Sequence, residues 1–177
     1  MRFWAKAGRV FDWLVDAMLF LAGLIMFVQT LWITEDVIVR YAFDWTWAPS
    51  FEILSYSILW MTFLGTTAIY RDRGHVVMEA VVARFPARAA DIINLCTTLA
   101  IAGLTAFLLF YSARLTIQDY QNHFVLATIV KPVKWPIEMI IPISFLMLFI
   151  QSLRHVATYY RAFKAGEYVK AGEQSSL

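Results

Sequence analysis

A single cysteine, Cys96, stands in the 177 residues. It can form no disulfide within the chain, and no metal-binding spacing surrounds it. Its place inside an apolar run marks it as a space-filling side chain. Charge is also scarce. Asp, Glu, Lys and Arg make up 16% of the chain, against about 25% in an ordinary soluble domain. The net charge of +2 is too small to suggest a nucleic-acid partner. The sequence has no HExxH, Walker loop, GxSxG or cysteine cluster. Catalytic residues, a bound metal and a cofactor are therefore not expected in this chain. What is abundant is apolar surface: 60% of the residues are hydrophobic and the mean hydropathy is +0.62.

That surface comes in long blocks. Ala17 to Ile33 carries no charge over seventeen residues, and Phe11 to Asp16 extends it. Phe51 to Tyr70 holds only Glu52, Ile92 to Tyr111 holds none, and Trp135 to Leu153 has Glu138 near its start and Pro142 inside. A spanning helix needs roughly 20 apolar residues, and lipid offers the backbone no hydrogen bonds, so each block should be helical. A β-barrel would alternate along ten-residue strands, and these blocks do not alternate. The expectation is an all-α integral membrane protein with four transmembrane helices, at about residues 11–36, 50–70, 90–118 and 135–160. They form one domain over residues 1–165, and residues 166–177 read as a disordered cytosolic tail.

Basic residues set the orientation. Arg2, Lys6 and Arg9 precede the first helix; Arg71, Arg73, Arg84 and Arg88 follow the second; Arg154, Arg161, Lys164 and Lys170 lie after the fourth. Only Arg40, Lys131 and Lys134 lie in the other two loops. The split of eleven against three puts both termini and the middle loop in the cytosol. The first apolar run is longer than a signal-peptide core of 7–15 residues, and Glu35 and Asp36 follow it instead of a small-residue cleavage site. It should stay as a signal anchor. In the middle loop, "HVVMEAVVARFPARAAD" sets Val77, Val81 and Phe85 at helical spacing. That pattern suits a short amphipathic helix in the membrane interface between helices 2 and 3, ended by Pro86.

Charges within or near the spans each need a reason. Glu52, Arg114 and Glu138 all map to the outer ends of their helices. Glu52 meets the positive end of a helix dipole just after Pro49 and Ser50. Arg114 lies within about two turns of Asp119 and can snorkel outward. An ion pathway would want carboxylates or unwound backbone near the midplane, and the four midplanes are apolar. Glu52, Ser55, Leu59, Thr62 and Thr66 step by three and four, a stripe that lets helices approach closely; Ala102 and Ala106 offer a second small pair. Trp45, Trp47 and Trp135 read as an outer aromatic belt. Together these describe a compact four-helix module that serves a partner. Two rival readings stay open. His75 and His155 lie on one side, so a haem- or quinone-linked anchor subunit of a respiratory enzyme is one, although both sit beside arginines at helix ends. A small self-contained transporter is the other, and it would call for a midplane carboxylate.

The order Arg40–Tyr41, Glu52, Trp60, Phe63–Leu64–Gly65, Arg71 and His75 resembles the small membrane subunit of tripartite ATP-independent periplasmic (TRAP) transporters, the DctQ-like family. Phe85–Pro86 and "KPVKWPIEMIIPIS", with Trp135 and Pro142, look like the same family. The resemblance covers roughly residues 10 to 160. One departure is that many members carry two adjacent acidic residues near the start of the second helix, whereas Ile53 follows Glu52 here. The resemblance implies a multi-pass protein of the bacterial inner membrane with two partners besides the lipid. A large subunit carries the sodium and substrate sites, and a periplasmic substrate-binding protein captures an organic acid. The small subunit braces the first and helps dock the second. Glu52, Ser55, Leu59, Thr62, Thr66, Arg71 and His75 are the candidate large-subunit interface. Asp44, Trp45, Trp47, Lys131 and Lys134 are the candidates for receptor docking.

The basic asymmetry predicts that a reporter fluorescing only in the cytosol will glow when fused at either terminus. A dark carboxy-terminal fusion of a well-expressed protein would refute the four-helix topology.

Overall fold

The computed structural model describes residues 2–45, 47–73 and 87–165. His75, the proposed interfacial helix and the tail at 166–177 lie outside them. Among the described residues there are five helices: α1 Arg2–Phe43, α2 Ser50–Arg73, α3 Ala87–Gln121, α4 Lys134–Glu138 and α5 Ile140–Ala165. Among the described residues four segments are long and apolar enough to cross a membrane: Gly8–Phe43, Ser50–Arg71, Leu95–Gln121 and Lys134–Thr158, the last running through α4 into α5. The fold is thus all-helical, and the chain is a multi-pass membrane protein. An isolated antiparallel bridge, Val125 to Val133, lies between α3 and α4.

Local chemistry sets several boundaries. Pro49 precedes α2, and its carbonyl accepts from the N–H groups of Glu52 and Ile53 at 3.1 and 3.2 Å. The interruption at Met139 lies four residues after Trp135, whose carbonyl accepts the Met139 N–H at 3.0 Å. Pro142 has no N–H to give the Glu138 carbonyl, so the regular ladder fails there. Asp44 and His123, just beyond the ends of α1 and α3, take positive φ values of 49° and 48°, the left-handed turn by which many helices stop. At 42 residues, α1 extends past both ends of its apolar run. It rises about 63 Å, roughly twice the hydrocarbon thickness.

The helices pack in the order α1, α2, α5, α3. The expectation of a compact bundle gives way to a row in which α1 and α3 are the edges. Ala22 of α1, Leu64 of α2 and Ile140 of α5 form a buried cluster, with Met18, Leu59, Trp60 and Phe63 against it. On α3 the buried positions Thr98, Ala102 and Thr105 step by three and four, and α5 is the spanning neighbour they face. Their small size lets the two backbones approach without a hydrophobic drive between them. Ala106, read with Ala102 as a pair, is only partly buried.

Polar groups stitch neighbours together. The Ser144 hydroxyl, fully buried, donates to the Phe63 carbonyl at 2.8 Å. The Trp60 indole donates to the Ile137 carbonyl at 3.2 Å, and the Gln29 amide to the Leu54 carbonyl at 3.4 Å. Thr105, by contrast, satisfies itself on the Ile101 carbonyl at 2.8 Å.

Ser144 tests the α2–α5 contact. Ser144→Ala should cost about 0.5–1.5 kcal/mol, one hydrogen bond. Ser144→Leu should cost more, about 1–3 kcal/mol from overpacking alone. Thermal unfolding in detergent checks the order; equal midpoints for the two variants would mean that the helices are not in close contact there.

Candidate functional site

Charged residues in the spans collect at two ends. At one end Asp12 and Asp16 of α1 face arginines from two other helices. Arg71 donates to Asp16 Oδ1 at 2.7 Å and to the Asp12 carbonyl at 3.3 Å. Arg154 holds Asp12 at 2.6 and 3.3 Å and reaches Gln151 at 3.3 Å, with the Phe11 ring 5.2 Å away. Beside it His155 contacts Gln151 at 3.1 Å and sits edge-on to Tyr70 at 5.4 Å. These bridges are substantially exposed, with 42% and 39% of the Arg154 and Asp12 side chains accessible. Each therefore contributes little alone; their effect is to fix which helices are neighbours.

The opposite end is built differently. Past α3, Phe124 N–H donates to the Asp119 carbonyl at 3.2 Å. The chain then doubles back: Lys134 N–H donates to the Phe124 carbonyl at 2.9 Å and Leu126 N–H to the Pro132 carbonyl at 3.0 Å. The result is a narrow hairpin. Its base is held by Lys134, whose Nζ lies 2.9 Å from Asp119 and 3.2 Å from Glu138, and 5.8 Å from the Phe124 ring. Its tip is held by Glu52. The N–H of Ile129 donates to Oε1 at 2.7 Å and that of Val130 to Oε2 at 3.1 Å. Two successive backbone donors converging on one anion form a small nest. Lys131, next in the chain, turns through a positive φ of 47°.

The same end anchors the α1–α2 connection. Trp47 stacks on Trp32 of α1, centroids 6.0 Å apart and planes 14° from parallel. Ser50 N–H donates to the Trp47 carbonyl at 3.0 Å. Trp45, Phe124 and Ile129 stay exposed, at 59%, 56% and 65%. The whole is a fixed surface of two tethered loops with an apolar rim. Among its described residues no nucleophile and base are in contact. Among the described residues no three His, Cys, Asp or Glu side chains gather as metal ligands would.

The structure brings some sequence-predicted residues together and separates others. Glu52 meets the hairpin that carries Lys131 and Lys134, which joins the two predicted groups. Both Glu52 oxygens are occupied within the chain. Ser55 and Thr62 face outward, Thr66 is partly covered, and Leu59 turns to the core. Each of the three hydroxyls donates to the carbonyl four residues back, at 2.8, 2.8 and 2.6 Å for Ser55, Thr62 and Thr66. Arg71 lies at the other end of α2, on Asp16. Asp44 and Trp45 are exposed, and Trp47 is stacked. Lys131 is exposed, whereas Lys134 is drawn into its acidic pair. The role of Asp119 went unseen in the sequence. Lys134 and Glu138, four apart on a helix, carried a signal; nothing local pointed from them to Asp119.

A family model described as tripartite ATP-independent periplasmic transporters, DctQ component, matches residues 30–162. The match takes in about three quarters of the chain, and the chain belongs to that family. No curated protein and no solved structure matches it.

Replacing Glu52 by Gln keeps the shape and removes the charge. Amide exchange at Ile129 and Val130 should quicken, while the α2–α5 core near Ser144 keeps its protection. Unchanged exchange at both amides would mean that the hairpin tip holds without the carboxylate.

Proposed function

We propose that this DctQ component braces the large, sodium-coupled subunit of a TRAP transporter in a bacterial inner membrane and helps dock the periplasmic substrate-binding protein. The observation that carries the proposal is the placing of polar groups. In the candidate spans the charges lie toward the ends, and the outward face of α2 is an uncharged stripe: Phe51, Ser55, Ile58, Thr62 and Ile69. Its hydroxyls are already bonded to their own helix, so a partner helix can pack there without leaving a polar group unsatisfied. Such a surface supports binding to another membrane protein and gives no foothold to an ion in transit. Both termini face the cytosol in this proposal, so the Glu52 end faces the periplasm.

Docking falls to that end. The hairpin and the α1–α2 connection present Trp45, Phe124, Ile129 and the exposed Lys131, a mixture of aromatic and charge that suits a transient interface. Glu52 acts on docking through the hairpin it holds. Lys134 positions the hairpin base, and Asp44 and Trp47 complete the neighbouring loop. Arg71 secures α2 against α1, and the resemblance extends the large-subunit interface to it and to His75. Sodium and the organic acid bind the large subunit and the receptor. The resemblance extends the substrate class to C4-dicarboxylates, sialic acids, sulfonates and sugar acids.

Proteoliposomes test both parts. The large subunit with receptor should show sodium-driven uptake only when this chain is present, and this chain alone should show none. Uptake by the isolated chain would overturn the bracing role. Lys131→Glu should raise the receptor concentration needed for half-maximal uptake, more at low salt than at high. Lys131 is the clean probe, because reversing Lys134 would also break its own ion pairs. An unchanged receptor dependence at both ionic strengths would move docking to the large subunit.

A further inference from the structure

Arg114 lies inside the candidate span Leu95–Gln121, exposed on α3. Gln121 ends that helix seven residues on, about 10 Å along the axis. Among the described residues no side chain or carbonyl pairs with its guanidinium. Three acids at the same end of the fold are engaged elsewhere: Asp119 and Glu138 hold Lys134, and Glu52 holds the hairpin. A cation facing lipid without an anion is unfavourable, and intramembrane arginines find partners.

Beside it runs an open groove of about 500 Å³. It is lined along α3 by Ala106, Leu109, Phe110, Ala113 and Ile117, with Arg114 its one charged lining residue. α3 is an edge of the helix row, so the groove opens to whatever surrounds the protein. A long apolar furrow with a single guanidinium toward the helix end matches an amphiphile with one anionic head. Arginine reads phosphate through paired N–H donors, and its stem can lie along the apolar wall while the head reaches the interface.

We propose that this groove binds one phospholipid, with its phosphate on Arg114 and one acyl chain along Ala106 and Ala113. The site lies in the leaflet at the Glu52 end. It does not depend on which transporter subunit the chain braces.

The test uses the purified full-length chain in detergent, titrated with palmitoyl-oleoyl phosphatidylglycerol and followed by native mass spectrometry. The first lipid should bind about tenfold more weakly to Arg114→Gln and to Ala113→Leu, which puts a larger side chain into the groove. Arg40→Gln, a cation lost from the same end, should bind as the parent does. Millimolar inorganic phosphate should not displace the lipid, because it lacks the chain. Matching helical circular dichroism for all variants excludes misfolding. Equal first-lipid affinity in the parent and Arg114→Gln overturns the proposal, as does displacement by free phosphate. So does an Arg114→Gln variant that keeps the lipid but no longer co-purifies with the large subunit, since the guanidinium would then serve a protein carboxylate.

Discussion

Lipid supplies no hydrogen bonds, so each polar group of a spanning helix must find its partner in protein or reach the interface. The architecture of this chain follows from how that constraint is met. Ser55, Thr62, Thr66 and Thr105 bond to carbonyls of their own helix. Ser144, Trp60 and Gln29 bond to a neighbouring helix and thereby choose it. Apart from Arg114, the charges of the spans stay toward the ends, where water and headgroups are near.

The two ends solve the same problem with different strength. At the Asp12 end, exposed arginine–aspartate bridges join α1 to α2 and α5, a setting in which each pair is weak and the pattern matters more than the energy. At the Glu52 end the partners are backbone N–H groups and a partly covered Lys134 between two acids. A loop tied at base and tip loses the freedom that loops normally keep. A tethered loop is a better docking surface than a free one, because less ordering remains to be done on binding. That is the physical basis for proposing receptor docking at this end.

Much of this was legible in the sequence. The four apolar blocks became four candidate spans. Pro49 marked a real helix start, and Glu52 stood out as a carboxylate needing a reason, whereas the interruption at Met139 four residues after Trp135 was not read from Pro142. Its partner was not legible, because an ordinary loop residue offers its backbone N–H whatever its side chain. Ile129 and Val130 look like any apolar pair. Arg71 and Arg154 were readable as topology signals and not as the clamps they form on Asp16 and Asp12. Arg114 lies beside a groove, and the acid near it in sequence, Asp119, is held by Lys134.

The sequence by itself determined the number of spans, the polar ends and the apolar middles. These depend on composition within windows of about 20 residues. Only the tertiary structure decided the helix order, the edges of the row and the identity of each polar partner. The decisive contacts join residues 55, 77 and 142 positions apart: Arg71 with Asp16, Glu52 with Ile129, and Arg154 with Asp12. Hydropathy measures how much apolar surface a helix has. It does not say which neighbour will cover it, because in lipid every apolar face is equally at home until a hydrogen bond or a small side chain makes one contact better than the rest.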